Sequence, residues 1–172
     1  MKKVAFFIFL VLLFSFVSCS DTSGKVGDSL AYQENSFEAV AEVVSESFTT
    51  TVKVICGKWQ KESGTERDIK LIFIAPETIS GLEIERSRGV IKLSMLGQSF
   101  EDTEGKFEDA FKFCELFSIK GPPVSFKVEG KNTRVCAETE NGETSLLLDS
   151  KGFPIEIKQG DILIRVKDFK PT

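Results

Sequence analysis

Histidine is absent from all 172 residues. That gap removes a Ser-His-Asp triad, a Cys-His pair and most zinc hydrolase sites. No Cys-x-x-Cys spacing, Gly-rich phosphate loop or calcium-loop pattern occurs either. Basic charge is scarce. The 22 Lys and Arg face 26 Asp and Glu, for a net charge of −4. An acidic balance argues against nucleic acid and against a polybasic membrane patch. No apolar run is long enough for a bilayer-spanning helix, which takes about 20 residues. The longest, residues 4–17, has 14 and is broken only by Ser15. At 1.5 Å per residue it makes about 21 Å of helix. These absences set the first expectations: no enzyme, no metal, no cofactor.

What is present begins with that short run. Lys2 and Lys3 precede it, and Phe16-Val17-Ser18-Cys19 closes it. A basic start, a short apolar stretch and small residues at its end describe an export signal. The ending resembles a bacterial lipoprotein signal, with Phe16 where Leu is commonest. The resemblance implies cleavage before Cys19 and acylation of its thiol by palmitate-type chains. Two or more such chains hold a protein on a membrane where one does not. The expected place is therefore the extracytoplasmic face of the cell membrane, held through lipidated Cys19. An ordinary cleaved signal and an uncleaved anchor are the alternatives.

Removing residues 1–18 leaves 154 residues with 20 basic and 26 acidic groups, a net charge of −6. Residues 19–35 are polar and contain Gly24, Gly27, Asp28 and Ser29, the composition of a flexible tether. Residues 36–172 then form one domain, long enough to be stable without disulfides. With Cys19 spent on lipid, Cys56, Cys114 and Cys136 remain, an odd set. Buried reduced thiols are the preferred reading, a Cys56–Cys136 bridge the alternative.

The dominant period in the domain is two. Phe37, Ala39, Ala41 and Val43 alternate with Glu38 and Glu42. A helical stripe also fits residues 36–46, but strand is preferred. Val52, Val54 and Cys56 continue the pattern after a turn at Ser45-Glu46-Ser47. Ile69, Leu71 and Phe73 run to Pro76. Leu82, Ile84 and Arg86 precede a turn at Ser87-Arg88-Gly89, and Ile91, Leu93 and Met95 run to Gly97. Later strands follow from Val124, Phe126 and Val128, from the segments around Asn141-Gly142, and from the alternating isoleucines at 155–157 and 162–164. One segment differs. Over residues 106–118, Phe107, Ala110, Phe111, Cys114 and Phe117 recur at helical spacing, with Thr103 as N-cap and Gly121-Pro122-Pro123 as terminator. Phe113 and Leu116 lie off the stripe, so this helix is expected to be contacted on two sides.

About ten antiparallel strands and one amphipathic helix belong to the α+β class. A sheet of that size must curl, close or split. The expected architecture is a strongly curved antiparallel sheet, a half-open β-barrel, enclosing the helix. A two-layer sheet with a helix on one face is the alternative. At this point the chain resembles a family. Ile72-Phe73-Ile74-Ala75-Pro76-Glu77 followed by Gly81-Leu82 is similar to a segment of the LolA/LolB-like lipoprotein-sorting carriers. So is the hairpin of residues 147–157, with Leu148-Asp149 and Gly152-Phe153-Pro154. The resemblance covers roughly residues 32–170. It implies an unclosed barrel with an apolar cavity for acyl chains.

The phenylalanine excess reads first as a dry core and second as such a cavity, because a ring without a polar handle fills a core or lines an apolar pocket. The candidate ligand-contacting residues are Phe73, Leu82, Leu93, Met95, Phe107, Phe111 and Phe126. Glu83 with Glu85, and Glu138 with Glu140, could carry acid–base chemistry, but their alternation with apolar residues marks a solvated face. Cys136 beside Arg134, and Trp59 at a strand end, are read as structural. Two functions remain in view. One is binding or transfer of an apolar ligand, a lipid or a lipidated protein, by a monomer. The other is a cell-envelope scaffold with a solid core.

Overall fold

The structure is a computed structural model that describes residues 30–58, 67–118, 123–139 and 142–172. The expected signal, Cys19, most of the tether, Trp59, Gly121, Pro122, Glu140 and Asn141 lie outside the described residues.

The alternating segments are strands. β1 (Phe37–Val44) buries Phe37, Ala39, Ala41 and Val43 and leaves Glu38 and Glu42 on its other side, which decides strand over helix there. β2 (Thr49–Cys56), β3 (Ile69–Ala75), β4 (Glu83–Ser87) and β5 (Val90–Met95) follow as a meander. At the β4–β5 turn both Arg88 and Gly89 have positive φ, the geometry that two-residue hairpins favour. β6 (Gln98–Asp102) was not expected. It carries a single large apolar residue, Phe100, and shows no alternation of burial. β7 (Ser125–Glu129), β8 (Asn132–Thr139), β9 (Gly142–Leu148), β10 (Pro154–Gln159) and β11 (Ile162–Pro171) form a second meander.

β1 also pairs with β11, from Phe37↔Pro171 to Val44↔Leu163. This pairing joins the two meanders into one antiparallel sheet of 11 strands, in the order β6-β5-β4-β3-β2-β1-β11-β10-β9-β8-β7. The ends of the domain therefore meet in the middle of the sheet. Its free edges, β6 and β7, lie on either side of the helical crossover in sequence. Register shifts at Val40/Ala41, Thr51/Val52 and Pro154/Glu156 mark bulges, which bend and twist strands. The sheet curls but stays open.

The crossover is shorter than the sequence implies. Instead of a helix over 106–118 there is a 3-10 turn, Glu108–Phe111, running into one α turn, α1 (Lys112–Glu115). Thr103 is not the N-cap. Phe107 holds that position without a side-chain cap, and the Asp102 carboxylate accepts the N–H groups of Phe107 at 2.7 Å and Glu104 at 3.2 Å. The cause is packing on several sides. Phe111, Phe113, Cys114, Leu116 and Phe117 are all buried, more than one face of a regular helix can present.

The tether also ends earlier than expected. A 3-10 turn, Ala31–Glu34, buries Tyr32. The Tyr32 hydroxyl donates to the carbonyl of Phe117 at 2.8 Å, and its ring meets Phe37 and Phe169 edge-on at 6.1 and 5.4 Å. Residues 30–35 belong to the domain rather than to a free linker. Phe37 stands at the centre of this cluster, 5.7 Å from Phe117 and 5.0 Å from Phe169, which stacks in turn on Phe153 at 5.1 Å. The whole described core lies within residues 30–172.

Candidate functional site

Directly opposed residues in a sheet share a face, so the register carries the position of the core outward to each edge. On one side the row runs Leu71↔Ile84↔Leu93↔Phe100. On the other it runs Ile157↔Leu146↔Val135↔Phe126, with Leu148↔Thr133↔Val128 beside it. The inner members are buried. The outermost are not: Phe100 is 59% exposed, Phe126 36% and Val128 74%. Val124, just before β7, is 66% exposed. The core-facing side of the sheet thus continues as exposed apolar surface to both free edges, where the crossover does not cover it. This open inner face is the candidate site.

Five of the seven residues nominated from the sequence lie on it, four of them together on the β6 side. Phe73 donates its N–H to the carbonyl of Leu82 at 2.9 Å, Leu93 opposes Ile84, and Met95 opposes Gln98 next to the β6 edge. Phe73 and Leu82 are half-buried against the core, Leu93 is buried and Met95 half-buried. The fifth, Phe126, stands at the opposite free edge, and two belong to the crossover: Phe111, fully buried, and Phe107, 40% exposed at its start.

Two buried arginines were missed. Arg86 lies in the apolar phase of β4, opposite Ile91, with its guanidinium 4.8 Å from the centre of the Phe111 ring. It donates to Glu108 Oε1 at 2.6 Å, an ion pair that ties the crossover to the sheet. The signal was available: a cation sharing the phase of Leu82 and Ile84. Arg67 lies beneath Phe37, 5.2 Å from its ring centre, and donates to the carbonyls of Gly57 and Asn35. Burial pulls its pKa below the ordinary arginine value. No periodicity in the sequence marks it. Both arginines have apolar stems and rings around them, so each fastens the core to a loop rather than facing the open edge.

The three described cysteines are free thiols. Cys56 and Cys114 are buried, and burial pushes the Cys56 thiol up to about 12 and Cys114 well above its usual value. Neither is a nucleophile at neutral pH. The alternative Cys56–Cys136 bridge is excluded by geometry. Cys56 opposes Phe37 on the core side, whereas Cys136 opposes Ser145 between the core residues Val135 and Ala137, on the outer side. Arg134, next to Cys136 on that outer face, is held by Glu129 at 3.1 and 3.2 Å. The outer face is otherwise a ladder of ion pairs. Lys53 meets Glu38 at 2.7 Å, Lys70 meets Glu83 at 2.7 Å, and Arg165 meets Glu42 at 3.3 Å. Glu83 therefore serves a solvated salt bridge.

No family model matches the sequence, and no curated protein matches it. Solved structures do. An uncharacterized conserved protein from Thermus thermophilus superposes with a TM-score of 0.54 at 10% identity, over 88% of each chain. The likeness is one of fold. The crystal structure of MucB gives a TM-score of 0.49 at 14% identity, over 90% of this chain but only 60% of that one. A LolA superfamily protein from Nitrosomonas europaea gives 0.38 at 9% identity, over 85% of this chain and 93% of that one.

Proposed function

We propose that this protein is a lipid-anchored, extracytoplasmic, non-enzymatic carrier that holds an apolar ligand, a lipid or the acyl part of a lipidated protein, against the inner face of its open sheet. The observation that carries the reading is the apolar surface left uncovered on the core side at β6 and β7, formed by Phe100, Val124, Phe126 and Val128. Apolar surface rimmed by polar residues marks an interaction site more often than an accident of folding. Phe73, Leu82 and Met95, half-buried on the same face, would line the inner end of such a site. The anchor rests on Cys19 and the sequence before it.

The test is a chain beginning at Ser20, which retains the whole described core. It should bind a fluorescent fatty acid saturably, and Phe100→Ser and Phe126→Ser should each weaken binding severalfold without lowering the melting temperature. A chain that arrives empty in native mass spectrometry and binds no acyl probe would refute the reading. A second reading, an envelope scaffold, is favoured by the dense packing of Phe37, Phe111 and Phe117 beneath the crossover. It expects a protein partner and no acyl binding.

A further inference from the structure

The free edge at β7 is built to pair with itself, and we propose that two copies of this protein join edge to edge, β7 against β7, in an antiparallel dimer. The Gly130-Lys131 turn joins β7 to β8 and closes on the pair Glu129↔Asn132. In a two-residue hairpin that closing pair exchanges hydrogen bonds, and such pairs alternate along the ladder. The peptide groups of Glu129, Lys127 and Ser125 therefore face β8. Those of Phe126 and Val128 face outward, with no strand beside them among the described residues.

A two-fold axis at Val128 satisfies those of Val128. Val128 then opposes Val128 of the second copy, and Phe126 opposes its Gly130. Val128 faces outward on both copies, so the Val128 pair exchanges hydrogen bonds, whereas Gly130 lies in the turn with positive φ and meets Phe126 by packing alone. The same register sets Lys127 directly opposite Glu129 of the second copy, twice, once on each side of the axis, so that Glu129, already held by Arg134 and 3.7 Å from Lys127 of its own strand, gains a further cation. Opposite charges two residues apart on one face of a strand are self-complementary under such an axis. The exposed apolar side chains of Phe126 and Val128 fall together on the inner face of the joined sheets.

The other edge does not offer this. β6 and the loop after it carry Glu101, Asp102 and Glu104, which would meet like charges in a second copy. Nor can β6 cap β7 antiparallel within one chain, because the ten successive antiparallel pairings leave the two edges running the same way. The dimer departs from the monomer expected from the sequence and draws on Phe126 and Val128, which the ligand reading also uses; Phe100, at the other edge, belongs to the ligand reading alone.

The experiment is sedimentation velocity on the chain beginning at Ser20, across a hundredfold range of concentration at low salt. The expected result is a reversible dimer that does not grow further. Lys127→Glu places four carboxylates at the joint and should shift the midpoint at least tenfold toward monomer. The double variant Lys127→Glu/Glu129→Lys reverses both pairs across the axis while removing the Arg134 partner within each chain, and should recover part of the association. Val128→Lys, at an exposed position, should abolish it while the circular dichroism, and the melting temperature at dilutions where the parent is monomeric, stay those of the parent. A parent that stays monomeric throughout, or a dimer indifferent to Lys127→Glu and Val128→Lys, overturns the proposal. So does association that continues past the dimer.

Discussion

Phe37 and Phe126 occupy the same kind of place in the sequence, each in the apolar phase of an alternating strand, yet they should differ widely in what they contribute. Phe37 is fully buried, touches the rings of Tyr32, Phe117 and Phe169, and has the Arg67 guanidinium beneath it. Truncating a buried Phe to Ala costs about 3–5 kcal/mol through lost transfer energy and the cavity left behind. The aromatic contacts place Phe37→Ala at the upper part of that range. Against a total stability of about 5–15 kcal/mol, this is a large share. At about 2–4 °C per kcal/mol for a domain near this size, the melting temperature should fall by roughly 10 °C or more. Phe126, 36% exposed at a free edge, leaves no closed cavity, and Phe126→Ala should cost under about 1 kcal/mol. Urea unfolding followed by circular dichroism, with equal slopes for parent and variants, measures both. Equal losses for the two, or a loss below about 1 kcal/mol at Phe37, would sink the assignment of core and open edge.

Two further outcomes follow. In Tyr32→Phe the buried carbonyl of Phe117 loses its donor, which should cost about 1–3 kcal/mol in the same assay while leaving the fold unchanged. The thiols predict an alkaline weakness. Their folded pKa values are raised, so the protonated form is favoured in the fold. The stabilisation is complete below the unfolded thiol value and is lost as pH rises through the window up to about 12 for Cys56. The loss should approach about 1.4 kcal/mol per pH unit per buried thiol in that window. Cys56→Ala and Cys114→Ala should flatten the decline. In the native chain beginning at Ser20, a thiol reagent at pH 8 should reach only Cys136 quickly.

Much of the sheet was legible because burial on one face writes itself as a period of two. β1, β2, β3, β4 and β5 were readable from residues such as Val52, Leu71, Ile84 and Leu93, and the turns from Arg88-Gly89 and Pro76. β6 was not, because an edge strand with one apolar residue has no alternation to show. Phe107, Phe111 and Cys114 have the spacing of a regular helix. Enclosure by a curled sheet rewards burial on every side, and this tightened the segment into a 3-10 turn and one α turn. Arg86 carried a signal in its phase, whereas Arg67 carried none. The candidate site was half legible: Phe73, Leu82, Leu93 and Met95 share a face by local pairing, but exposure at Phe100 and Phe126 depends on which strands end the sheet.

The amino-acid sequence alone determined the class of the fold, the positions of most strands and turns, and the absence of histidine chemistry, because each is set by residues within a few positions of one another. Only the tertiary structure decided that β1 pairs with β11. That contact joins Phe37 to Pro171 across nearly the whole chain, and no local pattern encodes it. It moves the free edges to β6 and β7, turns Tyr32 from linker into core, and leaves apolar residues uncovered at the two places where a ligand or a second copy can reach them.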